Sequence, residues 1–163
     1  MDFNQAKQDI TQWIVDFVEK PHPLLNGWSP CPYARRARLE GKIDIRVGIL
    51  DPLELSAVGM EHYDVIAYVY DATQHSADNF NLAVDQLNTA YLVPRGMIAL
   101  ADHPADKEMV NGVCMNQGTY AIVFLQDLVK LNDAAKQLAS KDFYHGWSEE
   151  YLQTLFNNRQ DPR

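Results

Sequence analysis

Two segments of the sequence carry side chains that could do chemistry, and the first surrounds Cys31. Pro32 follows the cysteine directly, and Arg35 and Arg36 lie shortly after it. Proline favours the first position of a helix, where free N–H groups and a nearby guanidinium stabilise a thiolate, a carboxylate or a phosphate. The spacing therefore predicts a reactive thiol at Cys31 or an anion held by Arg35 and Arg36. The plainer interpretation is a small buried cysteine beside a solvated face of arginines.

The second segment is the stretch 102–118, which is longer than a connection between neighbouring strands needs to be. His103 lies in it between Asp102 and Pro104. An Asp–His pair can act as a general base held in one tautomer, so His103 is the candidate catalytic base. Adjacent residues of a strand point to opposite faces, so contact between these two side chains does not follow from their adjacency.

Two asparagines of the same stretch, Asn111 and Asn116, are candidate ligand-binding residues. Their amides can orient a substrate by donating and accepting hydrogen bonds. The alternative is a purely local role, because Asn111 and Gly112 form a typical turn dipeptide and asparagine often satisfies loop backbone.

No metal site is predicted. Imidazole and carboxylate ligands are available in Asp102, His103 and Asp106, with His62 or His75 elsewhere. The zinc and iron spacings of cysteine and histidine are absent from the sequence. Glycine-rich phosphate loops and the Gly-x-Ser-x-Gly nucleophile motif are absent as well, so the cofactor stays unknown.

Composition and charge exclude several classes of protein. The 163 residues include 22 acidic and 14 Lys or Arg side chains, which gives a net charge of −8. Such a balance argues against nucleic acid and against an anionic membrane surface as partners. No apolar run reaches the roughly 18 residues of a membrane span. Two cysteines suit a reducing compartment, and we expect a cytoplasmic protein with one domain over 1–163.

Apolar periodicity and capping residues predict the elements that must position these side chains. The first strand alternates Ile43, Ile45, Val47 and Ile49 with polar residues, whereas Val65 to Tyr70 is apolar on both faces. Helices are predicted over 3–18, 31–40, 51–58, 76–91, 128–138 and 148–156, and strands over 43–49, 65–70, 97–101 and 119–125. Residues 158–163 are expected to fray.

The order of these elements predicts an α+β fold. A helix of about 15 residues between the second and third strands has the length of a parallel crossover, and the other connections suit antiparallel neighbours. We therefore expect a four-stranded, mostly antiparallel mixed sheet with helices packed on one face, as a variant of the ferredoxin-like arrangement.

The segment Ser29-Pro30-Cys31-Pro32-Tyr33-Ala34-Arg35 resembles the Leu-Cys-Pro-Phe-Ala-Lys motif of an uncharacterised bacterial domain-of-unknown-function family. In that family a helix with a tryptophan precedes the motif, as Trp13 does here. A His-Pro segment and spaced asparagines follow it, and His103, Asn111 and Asn116 are similar in order. The family's later His-Leu-Leu-Arg run is missing, since residues 120–126 read Tyr-Ala-Ile-Val-Phe-Leu-Gln. The resemblance implies a site at these positions and no particular reaction.

Two functions remain open from the sequence. The first is a pocket between the Cys31–Arg36 helix start and the stretch 102–118 that binds a small anionic metabolite, with or without catalysis. The second is a non-catalytic interaction module, such as a homodimer or an adaptor, which an amphipathic terminal helix over 3–18 would suit.

Overall fold

The computed structural model describes residues 1–48 and 50–163, and its centre is a four-stranded mixed sheet. The strands are β1 (Ile43–Val47), β2 (Val65–Tyr70), β3 (Met97–Asp102), β4 (Met109–Val110), β5 (Val113–Cys114) and β6 (Ala121–Asp127). The main sheet has the order β1-β2-β6-β3, in which β1 is parallel to β2 and β6 is antiparallel to both its neighbours. β4 and β5 form a separate hairpin. Ile49, predicted at the end of the first strand, lies outside the described residues.

Six α-helices surround the sheet in the described part of the chain. They are α1 (Phe3–Trp13), α2 (Ala34–Leu39), α3 (Pro52–Ser56), α4 (Ala77–Leu87), α5 (Leu128–Ala139) and α6 (Glu149–Leu155). Single π-helical turns over Ile14–Val18 and Asn88–Leu92 extend α1 and α4. Asp2, Asp127 and Ser148 cap α1, α5 and α6 through their side chains. None of these helices is long and apolar enough to span a bilayer.

Helices cover both faces of the sheet, which corrects the predicted single covered face. Ala67 and Val69 of β2 pack against α1, whereas Ile66 and Tyr68 belong to the cluster that includes α3 and α4. The physical reason is the apolar character of β2 on both faces. Successive side chains of a strand alternate between faces, so an entirely apolar strand needs a helix on each side.

The predicted α+β class and mostly antiparallel mixed sheet are confirmed, but the strand order is not ferredoxin-like. The strands of the main sheet enter as β-α-β-α-β-β, and β6 inserts between β2 and β3. A ferredoxin-like unit has the order β-α-β-β-α-β. β1 and β2 are parallel, which corrects the antiparallel pair that the sequence predicts; the connection over 48–64 is long enough to return the chain for a parallel pair.

One edge of the main sheet is closed by a side chain. Asn88, which is buried at the end of α4, donates from Nδ2 to the carbonyl of Ala99 at 2.8 Å and accepts from the N–H of Ala99 at 2.7 Å. Its amide thus occupies the backbone positions that a fifth strand beside β3 would use. Edge strands are commonly protected in this general way, by covering their free backbone groups.

Candidate functional site

A cavity of about 290 Å³ lies beside β3 and brings several titratable groups together. We call it the β3-edge cavity. Its walls come from β3, from α4, from α6 and from the loop that precedes the β4–β5 hairpin, with Trp13 and Phe124 contributing aromatic surface. The carboxylates that line it are Asp85, Asp102, Asp106 and Glu108. Among the described residues, no Lys, Arg or His lines it.

Asp102 lies at the end of β3 and is buried, with 7% of its surface exposed. Its Oδ1 accepts from Nδ2 of Asn116 at 2.8 Å, and its Oδ2 accepts from the backbone N–H of Gln117 at 2.9 Å. Burial raises the pKa of Asp102, while these two hydrogen bonds oppose that shift. Asp102 is therefore fixed in place as a hydrogen-bond acceptor, and its burial makes its negative charge energetically unfavourable.

Glu108 is the most perturbed carboxyl group of the cavity. Tyr151 of α6 donates from its hydroxyl to Oε2 of Glu108 at 3.2 Å. Burial and, to a smaller extent, the charge of Asp102 raise the pKa of Glu108 to about 7, against the opposing effect of the tyrosine bond. A carboxyl group with a pKa near neutrality can both accept and release a proton under ordinary conditions, which suits general acid–base chemistry.

Neutral donors hold the carboxylates of the cavity. Asn81 of α4 donates to Asp106 at 2.7 Å, and Asn157 donates to Asp85 at 3.4 Å. The seven ion pairs of the described residues all lie elsewhere. Negative charge in this cavity is consequently uncompensated within the described chain, and a ligand that brings hydrogen-bond donors or a positive charge would lower its cost.

Asn116 organises the loop that carries Glu108. Its Oδ1 accepts from the backbone N–H of Glu108 at 2.6 Å, and its Nδ2 donates to the carbonyl of Asp106 at 3.0 Å in addition to Asp102. A single buried amide thus fixes the position of the loop against the end of β3. Asn116, a predicted ligand-binding residue, lies next to the cavity and acts on it through other residues.

Asn111 has the local role that the sequence left open. It has a φ of 50°, and Gly112 after it has a φ of 82°, so the pair forms the tight turn of the β4–β5 hairpin. Its Nδ2 also donates to the carbonyl of Leu24 at 3.2 Å. This bond, with the packing of Leu25 on Val110, ties the hairpin to the segment Pro23–Leu25.

His103 is buried and both its ring nitrogens are engaged. Nε2 lies 3.0 Å from the carbonyl of His75, and Nδ1 accepts from the backbone N–H of Ala105 at 3.2 Å. These partners assign the proton to Nε2 and use Nδ1 as an acceptor. Its side chain does not contact that of Asp102, which bonds Asn116 instead. In this arrangement His103 supports the loop, in contrast to its predicted role as a base.

Cys31 precedes its helix instead of starting it. α2 begins at Ala34, and Cys31 belongs to a turn in which the N–H of Ala34 bonds its carbonyl at 3.1 Å. The residue exposes part of its surface, yet the protein packed around it desolvates the thiol. That desolvation raises the pKa of Cys31, against the weaker effect of N–H groups of Tyr33 and Ala34. The direction is opposite to the one predicted for a reactive thiol.

The arginines after Cys31 are mostly paired with acids of the chain. Arg36 bonds Glu40 at 2.8 Å on the surface, and Arg38 bonds both oxygens of Glu19, at 2.9 and 2.7 Å. Arg35 is exposed and lies near Glu19. Among the described residues, no hydrogen bond or ring contact connects 31–36 with His103, so the structure does not bring together the two halves of the predicted pocket.

Glu108 and Tyr151 are not among the site residues that the sequence predicts, although the sequence carries a weak signal for Glu108. Glu108 directly precedes Met109 and Val110, which form a strand of the hairpin, so an acid at that point is drawn towards the apolar interior. Nothing in the residues around Tyr151 distinguishes it from any aromatic residue on the inner face of a helix. In the described part of the chain, no group of three or more His, Cys, Asp or Glu side chains is arranged to hold a metal ion.

Comparison with models of protein families, with curated proteins and with solved structures finds no match for this chain. The resemblance to the bacterial family with the Cys-Pro motif therefore stays a prediction.

Proposed function

We propose that the protein binds a small molecule in the β3-edge cavity, with Glu108 and Asp102 as its polar contacts. The observation that carries this proposal is the convergence of a buried carboxyl group, Asp102, and a half-buried one, Glu108, on one concave space of about 290 Å³. Small-molecule sites are typically concave and largely apolar, with a few polar groups that fix the ligand. Trp13, Phe124 and Tyr151 supply the apolar part here.

The charge of the lining favours a ligand with donors or a positive charge over an anion. Four carboxylates and no basic side chain among the described residues line the space. Aromatic faces attract cations as well, through the negative potential above the ring. This preference is the reverse of the anionic ligand that the sequence predicts for the region around Cys31.

The proposal is tested with three probes that share one ring and differ in their head group: phenethylamine, 2-phenylethanol and phenylacetate. Binding is followed by Trp fluorescence and by calorimetry at pH 8, where Glu108 is largely ionised. We expect the amine to bind most tightly and the carboxylate least. Thr154, which is exposed at the mouth of the cavity, provides a blocking variant, and Thr154→Trp should abolish binding.

Asp133→Asn removes an exposed carboxylate on α5, away from the cavity, and serves as the matched control. Its binding constants should equal those of the wild type. If Thr154→Trp leaves the binding of all three probes unchanged, the probes bind outside the cavity. Failure of a broad set of small probes to bind the wild type at millimolar concentration would contradict the proposal itself.

An anionic ligand at the Cys31–Arg36 segment is a second candidate, because Arg35 is exposed and takes part in none of the ion pairs of the described residues. Phosphate, sulfate and small carboxylates are screened for thermal stabilisation at fixed ionic strength. Stabilisation that disappears in Arg35→Ala supports this candidate through mass action. Equal stabilisation in both proteins assigns the effect to general salt exclusion and removes it.

A cytoplasmic location belongs to the same proposal. Both cysteines are free thiols, which suits a reducing compartment. The homodimer that the sequence left open is also retained as a proposal, and its support lies at the other edge of the main sheet.

A further inference from the structure

The two edges of the main sheet differ in how they are protected. The amide of Asn88 closes β3, whereas β1 is the terminal strand on the opposite side. Within residues 1–48 and 50–163, no backbone hydrogen bond outside the β1–β2 pair involves Ile43–Val47. Val47 is 49% exposed at the end of this strand. An uncovered edge of this kind is a ready template for another strand.

The register of the β1–β2 pair shows which backbone groups face outwards. The carbonyl of Lys42 accepts from the N–H of Val65, and Ile43 lies opposite Val65 in a parallel ladder. In such a ladder, alternate residues of one strand bond to its neighbour. Lys42, Asp44 and Arg46 therefore bond inwards to β2. Ile43, Ile45 and Val47 direct their N–H and carbonyl groups to the open edge.

We propose that a second copy of this chain docks on this edge, with the two β1 strands antiparallel and Ile45 opposite Ile45 of the second copy. The sequence Ile-Asp-Ile-Arg-Val over 43–47 is self-complementary in that register. Asp44 of one copy lies opposite Arg46 of the other on both sides of the two-fold axis. The apolar Ile43 lies opposite the apolar Val47.

Hydrogen-bond geometry agrees with the same register. The outward-facing groups of Ile45 form a hydrogen-bonded pair with their own copies, and those of Ile43 pair with those of Val47. Asp44 and Arg46 then occupy the non-hydrogen-bonded positions, where opposite side chains approach each other most closely. A shift of one residue would place Asp44 opposite Ile45 and lose both charge pairs.

The charged pair already exists within each copy and would extend into a four-membered array. Nε of Arg46 lies 2.7 Å from Oδ2 of Asp44, and the two side chains are 36% and 26% exposed, so each retains surface for a second partner. The net charge of −8 on each copy opposes association. Because the short strand also offers few contacts, the dimer should be weak and concentration-dependent.

Sedimentation velocity of the full chain over a range from micromolar to millimolar concentrations tests the proposal. We expect a reversible monomer–dimer equilibrium for the wild type. Asp44→Arg or Arg46→Asp alone places like charges opposite each other and should weaken the dimer about tenfold. An equimolar mixture of the two variants restores opposite charges across the axis and should form a heterodimer about as well as the wild type forms its homodimer.

Two further variants complete the test. Val47→Pro removes an N–H that faces the open edge and none that β2 uses, so it should abolish the dimer while circular dichroism stays unchanged. Asp133→Arg, an exposed charge reversal on α5, should leave the equilibrium intact. A wild type that stays monomeric at millimolar concentration would overturn the proposal. A dimer whose dissociation constant is changed neither by the charge exchange nor by Val47→Pro would overturn the proposal as well.

Discussion

Glu108 places a carboxyl group where both burial and the neighbouring charge of Asp102 favour its protonated form. Its pKa is about 7 in the folded protein, against an ordinary value of 4.5. Below pH 4.5 the carboxyl group is protonated in both the folded and the unfolded state, so it does not lower the free energy of unfolding. Between pH 4.5 and 7 the folded state binds the extra proton, so stability falls as the pH rises through this window.

Glu108→Gln keeps the shape of the side chain and removes its charge. We expect this variant to be more stable than the wild type at pH 8, by on the order of 1–3 kcal/mol, and nearly equal to it at pH 4.5. The measurement is the free energy of unfolding in urea at several pH values.

Asp133→Asn removes a carboxylate that is exposed, and it should follow the wild-type pH profile throughout. A Glu108→Gln profile parallel to that of the wild type between pH 4.5 and 8 would show that Glu108 titrates normally.

Cys31 makes a second prediction at this scale. Because desolvation raises the pKa of its thiol, its alkylation in the native protein should have a pH midpoint above the roughly 8.5 of a free cysteine. The rate is measured from pH 6 to 10 with Cys114→Ser, which leaves one thiol. A midpoint below 8.5 would restore Cys31 as a candidate nucleophile.

At the scale of the element, Asn88 links the end of α4 to the edge of β3. Asn88→Ala leaves the N–H and carbonyl of Ala99 without partners beside a buried position, and unsatisfied groups of this kind cost about 1–3 kcal/mol each. We expect a loss of about 2–4 kcal/mol in urea unfolding.

Thr89→Ala is the matched control, because Thr89 is the next residue, is exposed and bonds only within its own helix. Its loss should stay below about 0.5 kcal/mol. Similar losses in both variants would mean that the edge contact of Asn88 contributes little.

Most helices and strands can be predicted from the sequence, because capping residues and apolar periodicity define them locally. Asp2 and the apolar stripe that follows it predict α1, and Asp127 predicts the start of α5. α2 begins three residues later than the sequence predicts, because Cys31 donates its N–H to the carbonyl of Val18 and is held in a turn by that distant contact. A non-local hydrogen bond of this kind leaves no trace in the sequence around Pro32.

The site was less accessible for the same reason. Glu108 meets Tyr151 across 43 residues of chain, and Asn116 meets Asp102 across 14. Only the fold brings them together. The histidine that looked catalytic, His103, lies one residue from the carboxylate that lines the cavity, and the alternation of side chains along β3 sends the two in different directions.

At the scale of the whole molecule, the C-terminal segment is anchored in place, although the sequence predicted that it frays. Arg159 is 3% exposed and donates to the carbonyls of Leu155 and Leu131 and to Oδ1 of Asn132. Its guanidinium also lies 4.7 Å from the centre of the Phe156 ring. α6 and the residues after it thus pack as a satellite cluster on α5, separate from the two clusters on the faces of the sheet.

Hydrogen exchange should report this division. We expect the slowest amides in β2 and β6, which lie in the middle of the sheet, and faster exchange in α6. Arg159→Ala should accelerate exchange in α6 and leave β2 and β6 unchanged, as followed by mass spectrometry of peptides. Equal acceleration in all three elements would show that the satellite cluster opens only when the whole protein unfolds.

The closure of the β3 edge by the amide of Asn88 also limits where further strands can be added to the sheet. A sheet with two free edges can add copies at both ends and grow without limit, which is the route to fibres. This sheet has one edge capped from within by Asn88, so its valency for strand addition is one. An assembly through β1 would therefore terminate at two copies, because each copy offers a single edge for strand addition.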